Sequence, residues 1–163
     1  MRYAQIRKYD VANGEGIRST IFVTGCTHNC KNCFNQEYQD FTYGDIWSDE
    51  QTKQIISYLQ DPAVSGLTLL GGEPMQNYGL IEVLRDIKKE VNKNIWIYSG
   101  YTFEQILEEP KRLELLKECD VLVDGLFIDE LKDLKLKFRG SSNQRIIDIK
   151  QSLEQNKIVN YDI

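Results

Sequence analysis

The sequence has little of what several common reactions require. Its 163 residues include a single histidine, His28, which lies between two cysteines. A catalytic triad of serine, histidine and aspartate is therefore not supported. The pattern G-x-x-x-x-G-K, which cradles the phosphates of nucleotides, is also absent. These absences argue against a triad hydrolase and against a P-loop nucleotidase.

The chain has no excess of basic residues and no long apolar run. Lysine and arginine total 20 against 25 aspartates and glutamates, which gives a formal charge of −5 at pH 7. An acidic chain without a basic stripe is a poor candidate for binding nucleic acid through its phosphates. No apolar segment is long enough to span a bilayer, and no secretory signal is recognisable. We therefore expect a cytoplasmic protein with neither a nucleic-acid nor a membrane partner.

Cysteine is scarce but concentrated. Three of the four cysteines lie within eight positions, at Cys26, Cys30 and Cys33, with the spacing C-x3-C-x2-C. Thiols stay reduced in the cytoplasm, so this clustering argues against a disulfide framework. Three thiolates on one short loop favour a soft-ligand site for an iron–sulfur cluster or zinc. The fourth, Cys119, is interpreted as a small buried hydrophobic residue.

The cysteine loop leaves two metals open. A [4Fe–4S] cluster held by three thiolates has one iron without a protein ligand, which is free to bind and activate a substrate. Structural zinc prefers four protein ligands, usually in two separate pairs. Here His28 would be the fourth ligand, inside the same loop as the cysteines, and no second C-x-x-C follows. The spacing favours the cluster, with a zinc-stabilised binding module as the alternative.

Strand and helix signals alternate along the chain, which indicates βαβ units and a parallel sheet. The signals are too few for an eight-fold barrel, so we expect a partial, open parallel β/α barrel of about five strands in one domain, residues 1–163. The predicted strands lie at 19–24, 67–70, 95–98, 121–123 and 145–149. Helices are expected between them, two of which begin at the capping boxes of Ser48 and Thr102.

Glycine or polar turns follow four of the predicted strands, at 25–26, 71–74, 99–101 and 124–125. The carboxyl ends of parallel strands meet at one edge of the sheet, where ligands bind. We therefore expect one active site that contains the cysteines. Glu73 and the backbone of the preceding glycines could receive an ammonium group there, although a simple turn with a solvated glutamate is the alternative.

Two further polar segments leave their roles open. Residues 13–18 form either a flexible contact loop or an ordinary turn. Residues 138–145 carry two arginines and could bind a carboxylate, a phosphate or a partner surface, or could be a plain polar loop.

The cysteine spacing, the Gly-Gly-Glu-Pro turn and the alternating strands together resemble the radical S-adenosylmethionine superfamily. Within it, the chain resembles the branch that activates anaerobic ribonucleoside-triphosphate reductases. The stretches at 13–18, 33–35 and 139–147 carry that likeness, which extends from about Tyr3 to Ile147.

The resemblance implies a [4Fe–4S] cluster on Cys26, Cys30 and Cys33, with S-adenosylmethionine as the second cofactor. It implies reductive cleavage of that cofactor and a glycyl radical on the large subunit of the reductase, with a flavodoxin-like protein as the one-electron donor. Glu73 and its glycines would hold the amino group, and Ser99 and Asp124 are ribose or methionine contacts by strand position. The implied cofactor-binding residues are Gly71, Gly72, Glu73, Ser99 and Asp124.

Two departures from the family pattern stand out. An aromatic residue often precedes the third cysteine, whereas Asn32 stands here with Phe34 on the other side. Related activases often carry Asp-x-Lys after the fourth strand, whereas Asp124 is followed by Gly125 and Leu126. Another residue must therefore balance the carboxylate of the methionine.

A small radical enzyme that makes a deazapurine precursor without a protein partner is the nearest alternative to an activating enzyme.

Overall fold

The computed structural model describes residues 1–31 and 33–163. These residues form one mixed sheet with helices packed against it. The strands are β1 (Arg2–Asp10), β2 (Arg18–Val23), β3 (Asp45–Ile46), β4 (Gly66–Gly71), β5 (Asn94–Tyr98), β6 (Val121–Asp124) and β7 (Arg145–Asp148). The helices are α1 (Asp49–Leu59), α2 (Gly79–Glu90), α3 (Phe103–Leu107), α4 (Pro110–Leu116) and α5 (Ile149–Gln155). In the described part of the chain no helix has the length and apolar character needed to cross a membrane.

The centre of the sheet is parallel, as the sequence predicts. The strand order is β3-β1-β2-β4-β5-β6-β7, and β2, β4, β5 and β6 run in the same direction. Parallel neighbours need long crossover connections, which α1, α2 and the α3–α4 pair supply. β1, β3 and β7 pair antiparallel to their neighbours. The carboxyl ends of the four central strands therefore lie at one edge.

The prediction of about five parallel strands in a partial barrel was wrong in its count. Seven strands form in the described residues, and they lie in a linear order that does not itself show a barrel. The sequence of β1 is polar and its side chains are mostly half-buried, so it has no apolar run to mark it. β3 is two residues long, which is too short for any pattern.

The helices cover one face of the sheet and form the main core. Fully buried side chains of α1, α2 and the central strands meet there, each stabilising the fold by about 1.5–3 kcal/mol. They include Ile55, Leu59, Leu67, Leu69, Leu80, Leu84, Ile87 and Ile97. Cys119 lies in the same core, as its interpretation as a hydrophobic residue predicts. Burial raises the pKa of its thiol far above the usual value.

Capping explains where two helices begin. The hydroxyl of Thr102 accepts a hydrogen bond from the backbone N–H of Gln105, whose side chain accepts one from the N–H of Thr102. The side chain of Gln51 accepts a bond from the N–H of Ser48 in the same way. These contacts satisfy N–H groups that the first helical turn leaves without partners, which confirms both predicted starts.

The segment 13–18 ends in a structural arginine at the first residue of β2. Arg18 is buried, and its guanidinium donates to the hydroxyl of Thr68 and to the backbone oxygens of Glu15, Leu67 and Asn94. Burial lowers its pKa to about 10. The 13–18 segment therefore ends in a residue that holds the sheet together, whereas Asn13 lines the cavity described below.

Candidate active site

A cavity of about 490 Å³ lies where the turns after β2, β4, β5 and β6 converge. Its wall contains the thiol-bearing residues Cys26, Cys30 and Cys33 together with Gly71, Gly72, Glu73 and Ser99. The structure thus brings together in one cavity seven of the eight residues that the sequence singled out. The eighth, Asp124, does not line it.

The two glycines at the end of β4, Gly71 and Gly72, pack closely against the turn that leads to the cysteines. Gly71 has φ +120°, and a Cβ there would come within 2.3 Å of the backbone oxygen of Val23. A Cβ on Gly72 would come within 2.6 Å of the oxygen of Gly25. The N–H of Glu73 donates to that same oxygen at 2.7 Å. Only glycine allows this approach, which fixes Glu73 relative to the cysteine loop.

The three loop cysteines are partly exposed free thiols on this cavity wall. Burial raises the pKa of Cys26 to about 11 and also raises that of Cys30. Within residues 1–31 and 33–163 no three histidine, cysteine or acidic side chains are close enough to hold a metal ion. Three thiols that share one cavity are nevertheless the donor set that an iron–sulfur cluster needs, so the residues present fit such a cluster.

Glu73 is the most fully hydrogen-bonded side chain of the site. Its side chain is 1% exposed, and both carboxylate oxygens accept hydrogen bonds. Oε1 accepts from the N–H of Gly100 at 2.7 Å, and Oε2 accepts from the N–H of Met75 at 2.8 Å and from the hydroxyl of Ser99 at 2.9 Å. These donors are uncharged, so they hold the carboxylate in place without neutralising it.

His28 is a site residue that the sequence did not assign. Its Nε2 lies 2.7 Å from Oε1 of Glu73, and its ring meets that of Tyr101 edge-on at 4.5 Å. A Cβ on Gly100 would come within 2.6 Å of the imidazole, so glycine is required for this contact. In the zinc alternative His28 would join the thiols as the fourth ligand. In the structure its imidazole contacts Glu73 instead. Its position in the cysteine loop was the only available signal.

Ser99 and Asp124 have internal partners. The Ser99 hydroxyl donates to Glu73 and accepts from the N–H of Tyr101 at 3.0 Å. Asp124 is 1% exposed, accepts from the N–H of Phe103 at 2.7 Å and is bound twice by the guanidinium of Arg145, at 2.6 and 3.1 Å. Ser99 therefore lies at the cavity and orients Glu73, whereas Asp124 ties β6 to β7 and to the start of α3.

The segment between β6 and β7 forms another part of the cavity wall. Its contributing residues are Gly125, Phe127, Asp133, Leu134, Leu136, Phe138, Arg139, Gly140 and Gln144. Phe127 packs against Phe34 of the cysteine loop, with ring centroids 4.8 Å apart. The sequence left the role of this segment open, and Asn32, the departure noted beside the third cysteine, lies outside the described residues.

The sequence matches known proteins over the region that builds this cavity. Residues 12–147 match the family model of the 4Fe-4S single cluster domain. The chain is 41% identical over 152 residues to the anaerobic ribonucleoside-triphosphate reductase-activating protein of Haemophilus influenzae, covering 90% of this chain and 97% of the relative.

Two more distant relatives bear the same name. The protein of Enterobacteria phage T4 is 37% identical, with 90% of this chain and 93% of the relative covered. That of Escherichia coli K12 is 33% identical, with 88% and 96% covered. The chain belongs to the family of anaerobic ribonucleoside-triphosphate reductase-activating proteins. Its cysteine loop, the turn of Glu73 and the segment with Arg139 all lie inside the matched 4Fe-4S domain, which supports an iron–sulfur cofactor in this member of the family.

Proposed function

We propose that this chain is a radical S-adenosylmethionine enzyme that generates a glycyl radical on the large subunit of an anaerobic ribonucleotide reductase. The observation that carries the proposal is that three thiols and Glu73 line one cavity. The carboxylate of Glu73 is held there by hydrogen bonds from Met75, Ser99 and Gly100. Its relatives are named as activating proteins of this reductase. The cytoplasmic location and the lack of a nucleic-acid partner stay predictions from the sequence.

The chemistry needs a cofactor that protein side chains cannot replace. When bound, a [4Fe–4S] cluster supplies the electron that cleaves S-adenosylmethionine into methionine and a 5′-deoxyadenosyl radical, which takes a hydrogen atom from a glycine of the reductase. An external one-electron donor of the flavodoxin kind would supply that electron. Cys26, Cys30 and Cys33 would hold three irons as thiolates.

The chain itself orients the second cofactor. Glu73 is a buried carboxylate on the cavity wall whose position is fixed by hydrogen bonds from Met75, Ser99 and Gly100, and a carboxylate forms strong charge-assisted hydrogen bonds with a cation. It would receive the ammonium group of S-adenosylmethionine. The Gly71–Gly72 backbone would lie alongside, and Ser99 would act by holding Glu73 in position.

The surroundings of the cavity suit a macromolecular substrate. Leu134, 86% exposed, and Phe34 are large apolar side chains on the wall of this open cavity. Exposed apolar side chains at a site often mark a protein-binding surface. A glycine-bearing loop of the reductase would reach the cavity across them, which supports a protein partner over a small-molecule substrate.

The test is radical transfer between purified components. Protein reconstituted with iron and sulfide is mixed anaerobically with S-adenosylmethionine, a reductant and the large reductase subunit, and a glycyl radical is sought by electron paramagnetic resonance. We expect the radical with the intact subunit and none with Cys30→Ala. A subunit truncated before its glycine loop should remain without a radical while 5′-deoxyadenosine still forms. A radical on the truncated subunit would contradict the proposal.

A further inference from the structure

The described wall of the cavity contains two arginines, Arg7 and Arg139, which differ in their contacts with the other described residues. The Nε of Arg7 donates to Gln5 at 3.3 Å, and its Nη1 lies 3.9 Å from Asp10. Its guanidinium also stacks over the ring of Phe22 at 4.8 Å. Arg139, by contrast, has a buried Nε without a hydrogen-bond partner, and none of the described residues forms an ion pair with its guanidinium.

The backbone around Arg139 is held in a strained conformation. The preceding Phe138 has φ +63°, a left-handed conformation that is unfavourable for a non-glycine residue. Its carbonyl accepts a hydrogen bond from the Tyr98 hydroxyl at 2.5 Å, and its ring packs edge-on against Trp96. After it, the N–H of Gly140 donates to Gln144 at 2.9 Å. Packing on both sides thus maintains a costly turn that presents Arg139 to the cavity.

A guanidinium that no described residue neutralises is available to an anionic ligand at this cavity wall. A guanidinium matches the planar geometry of a carboxylate and binds it through two parallel hydrogen bonds. Glu73 lines the same cavity, but no ion pair joins its carboxylate to Arg139 in the described residues. Leu126, which stands where related activases often carry a lysine, supplies no charge. A ligand with an ammonium group and a carboxylate would use Glu73 and Arg139 together.

We propose that Arg139 binds the α-carboxylate of S-adenosylmethionine, opposite the ammonium group held by Glu73. This assignment rests on the function proposed above. It supplies the positive charge that must balance the carboxylate of the methionine, for which the sequence identified no residue. The strained turn at Phe138 then serves ligand recognition, because it fixes one guanidinium where a relaxed loop would sample many positions.

The experiment measures equilibrium affinity for two ligands on anaerobically reconstituted protein of equal iron content. The ligands are S-adenosylmethionine and its decarboxylated analogue, which keeps the ammonium group but lacks the carboxylate. The variants are Arg139→Gln and the conservative Arg139→Lys. The matched control is Arg112→Gln, because the Nε of Arg112 is also buried without a partner but the side chain packs over Tyr101 and does not line the cavity.

We expect Arg139→Gln to lower the affinity for S-adenosylmethionine about 10- to 100-fold and to leave the affinity for the decarboxylated analogue unchanged. Arg139→Lys should fall between wild type and Arg139→Gln, and Arg112→Gln should match wild type for both ligands. Equal losses of affinity for both ligands, or no loss for either, would overturn the assignment of Arg139 but not the proposed function. Wild-type protein that binds neither ligand would overturn the proposed function and this assignment with it. Iron content and thermal melting of each variant identify a folding defect. If Arg139→Gln has one, the affinities of Arg139→Lys for the two ligands test the assignment instead.

Discussion

Glu73 and Asp124 are two buried carboxylates at the carboxyl ends of two parallel strands of the same sheet, yet they differ in their neighbours. Each is 1% exposed. Asp124 is bound twice by the guanidinium of Arg145, which is a cation. Glu73 is held by three uncharged donors and by His28. The difference teaches that position at the carboxyl edge does not make a residue functional, because Asp124 is already neutralised within the fold.

The largest effect should come from leaving Asp124 without its cation. Arg145→Gln is expected to lower the free energy of unfolding by about 3 kcal/mol, because it leaves a buried carboxylate uncompensated. Urea denaturation measures it. The matched control is Glu104→Gln, which removes the other carboxylate on Arg145, one that is 58% exposed, and should cost less than about 1 kcal/mol. Equal losses in the two variants would break the comparison.

Removing the charge of each carboxylate in turn should distinguish an effect on ligand affinity from an effect on the free energy of unfolding. Glu73→Gln keeps the size of the side chain but removes its charge, so we expect the affinity for S-adenosylmethionine to fall about 10-fold or more. Asp124→Asn should lower stability and leave that affinity unchanged. Titration calorimetry on reconstituted protein measures both. If Asp124→Asn weakened binding as much as Glu73→Gln, Asp124 would be a cofactor contact, as its strand position first indicated.

Asp10 sharpens the comparison through its pH dependence. Burial alone would raise the pKa of its carboxyl, but hydrogen bonds from Asn13, Ala12 and Thr20 lower it below the usual value. A lowered pKa contributes stability that is present above the ordinary value of 3.8 and is lost as the pH falls below it.

Asp10→Asn should therefore lower the free energy of unfolding by about 1–2 kcal/mol at pH 7. This gap between variant and wild type should narrow as the pH falls below about 4. Urea denaturation from pH 7 to pH 3 follows this gap. A gap that stays constant over the whole range would show that the charge of Asp10 contributes nothing.

The smallest effect concerns Ser99, which contacts Glu73. Ser99→Ala removes one of the hydrogen bonds to that carboxylate, so we expect about a 3-fold loss of affinity for S-adenosylmethionine and about 1 kcal/mol of stability. Ser152→Ala is the control, since its buried hydroxyl bonds to the backbone of Val159 away from the cavity. A loss of affinity above about 30-fold would instead indicate that Ser99 itself contacts the cofactor.

The parts of the fold that could be predicted from sequence carry local signals. Apolar runs ended by glycine turns predict β2, β4, β5 and β6, and Thr102 with Gln105 predicts the start of α3. Since parallel strands end at one edge, the sequence also predicted that the cysteines and Glu73 would come together, and the structure places them in one cavity.

The rest depends on contacts between distant segments. The pairing of Asp124 with Arg145 follows from the antiparallel register of β6 and β7, in which the two residues are direct partners. The bond between His28 and Glu73 joins loops 45 residues apart. Arg139 lines the cavity directly after a left-handed residue, Phe138, and a phenylalanine in the sequence does not signal that conformation. No local pattern encodes these contacts.

The central claim is that the cysteine loop and Glu73 form one site for a cluster and S-adenosylmethionine. The most direct measurement is electron paramagnetic resonance of the reconstituted, reduced protein without any partner, before and after S-adenosylmethionine is added. The account predicts a reduced-cluster signal that changes on addition in wild type and changes only at higher ligand concentration in Glu73→Gln. Protein that takes up zinc but no iron, or a cluster signal indifferent to S-adenosylmethionine, would contradict it.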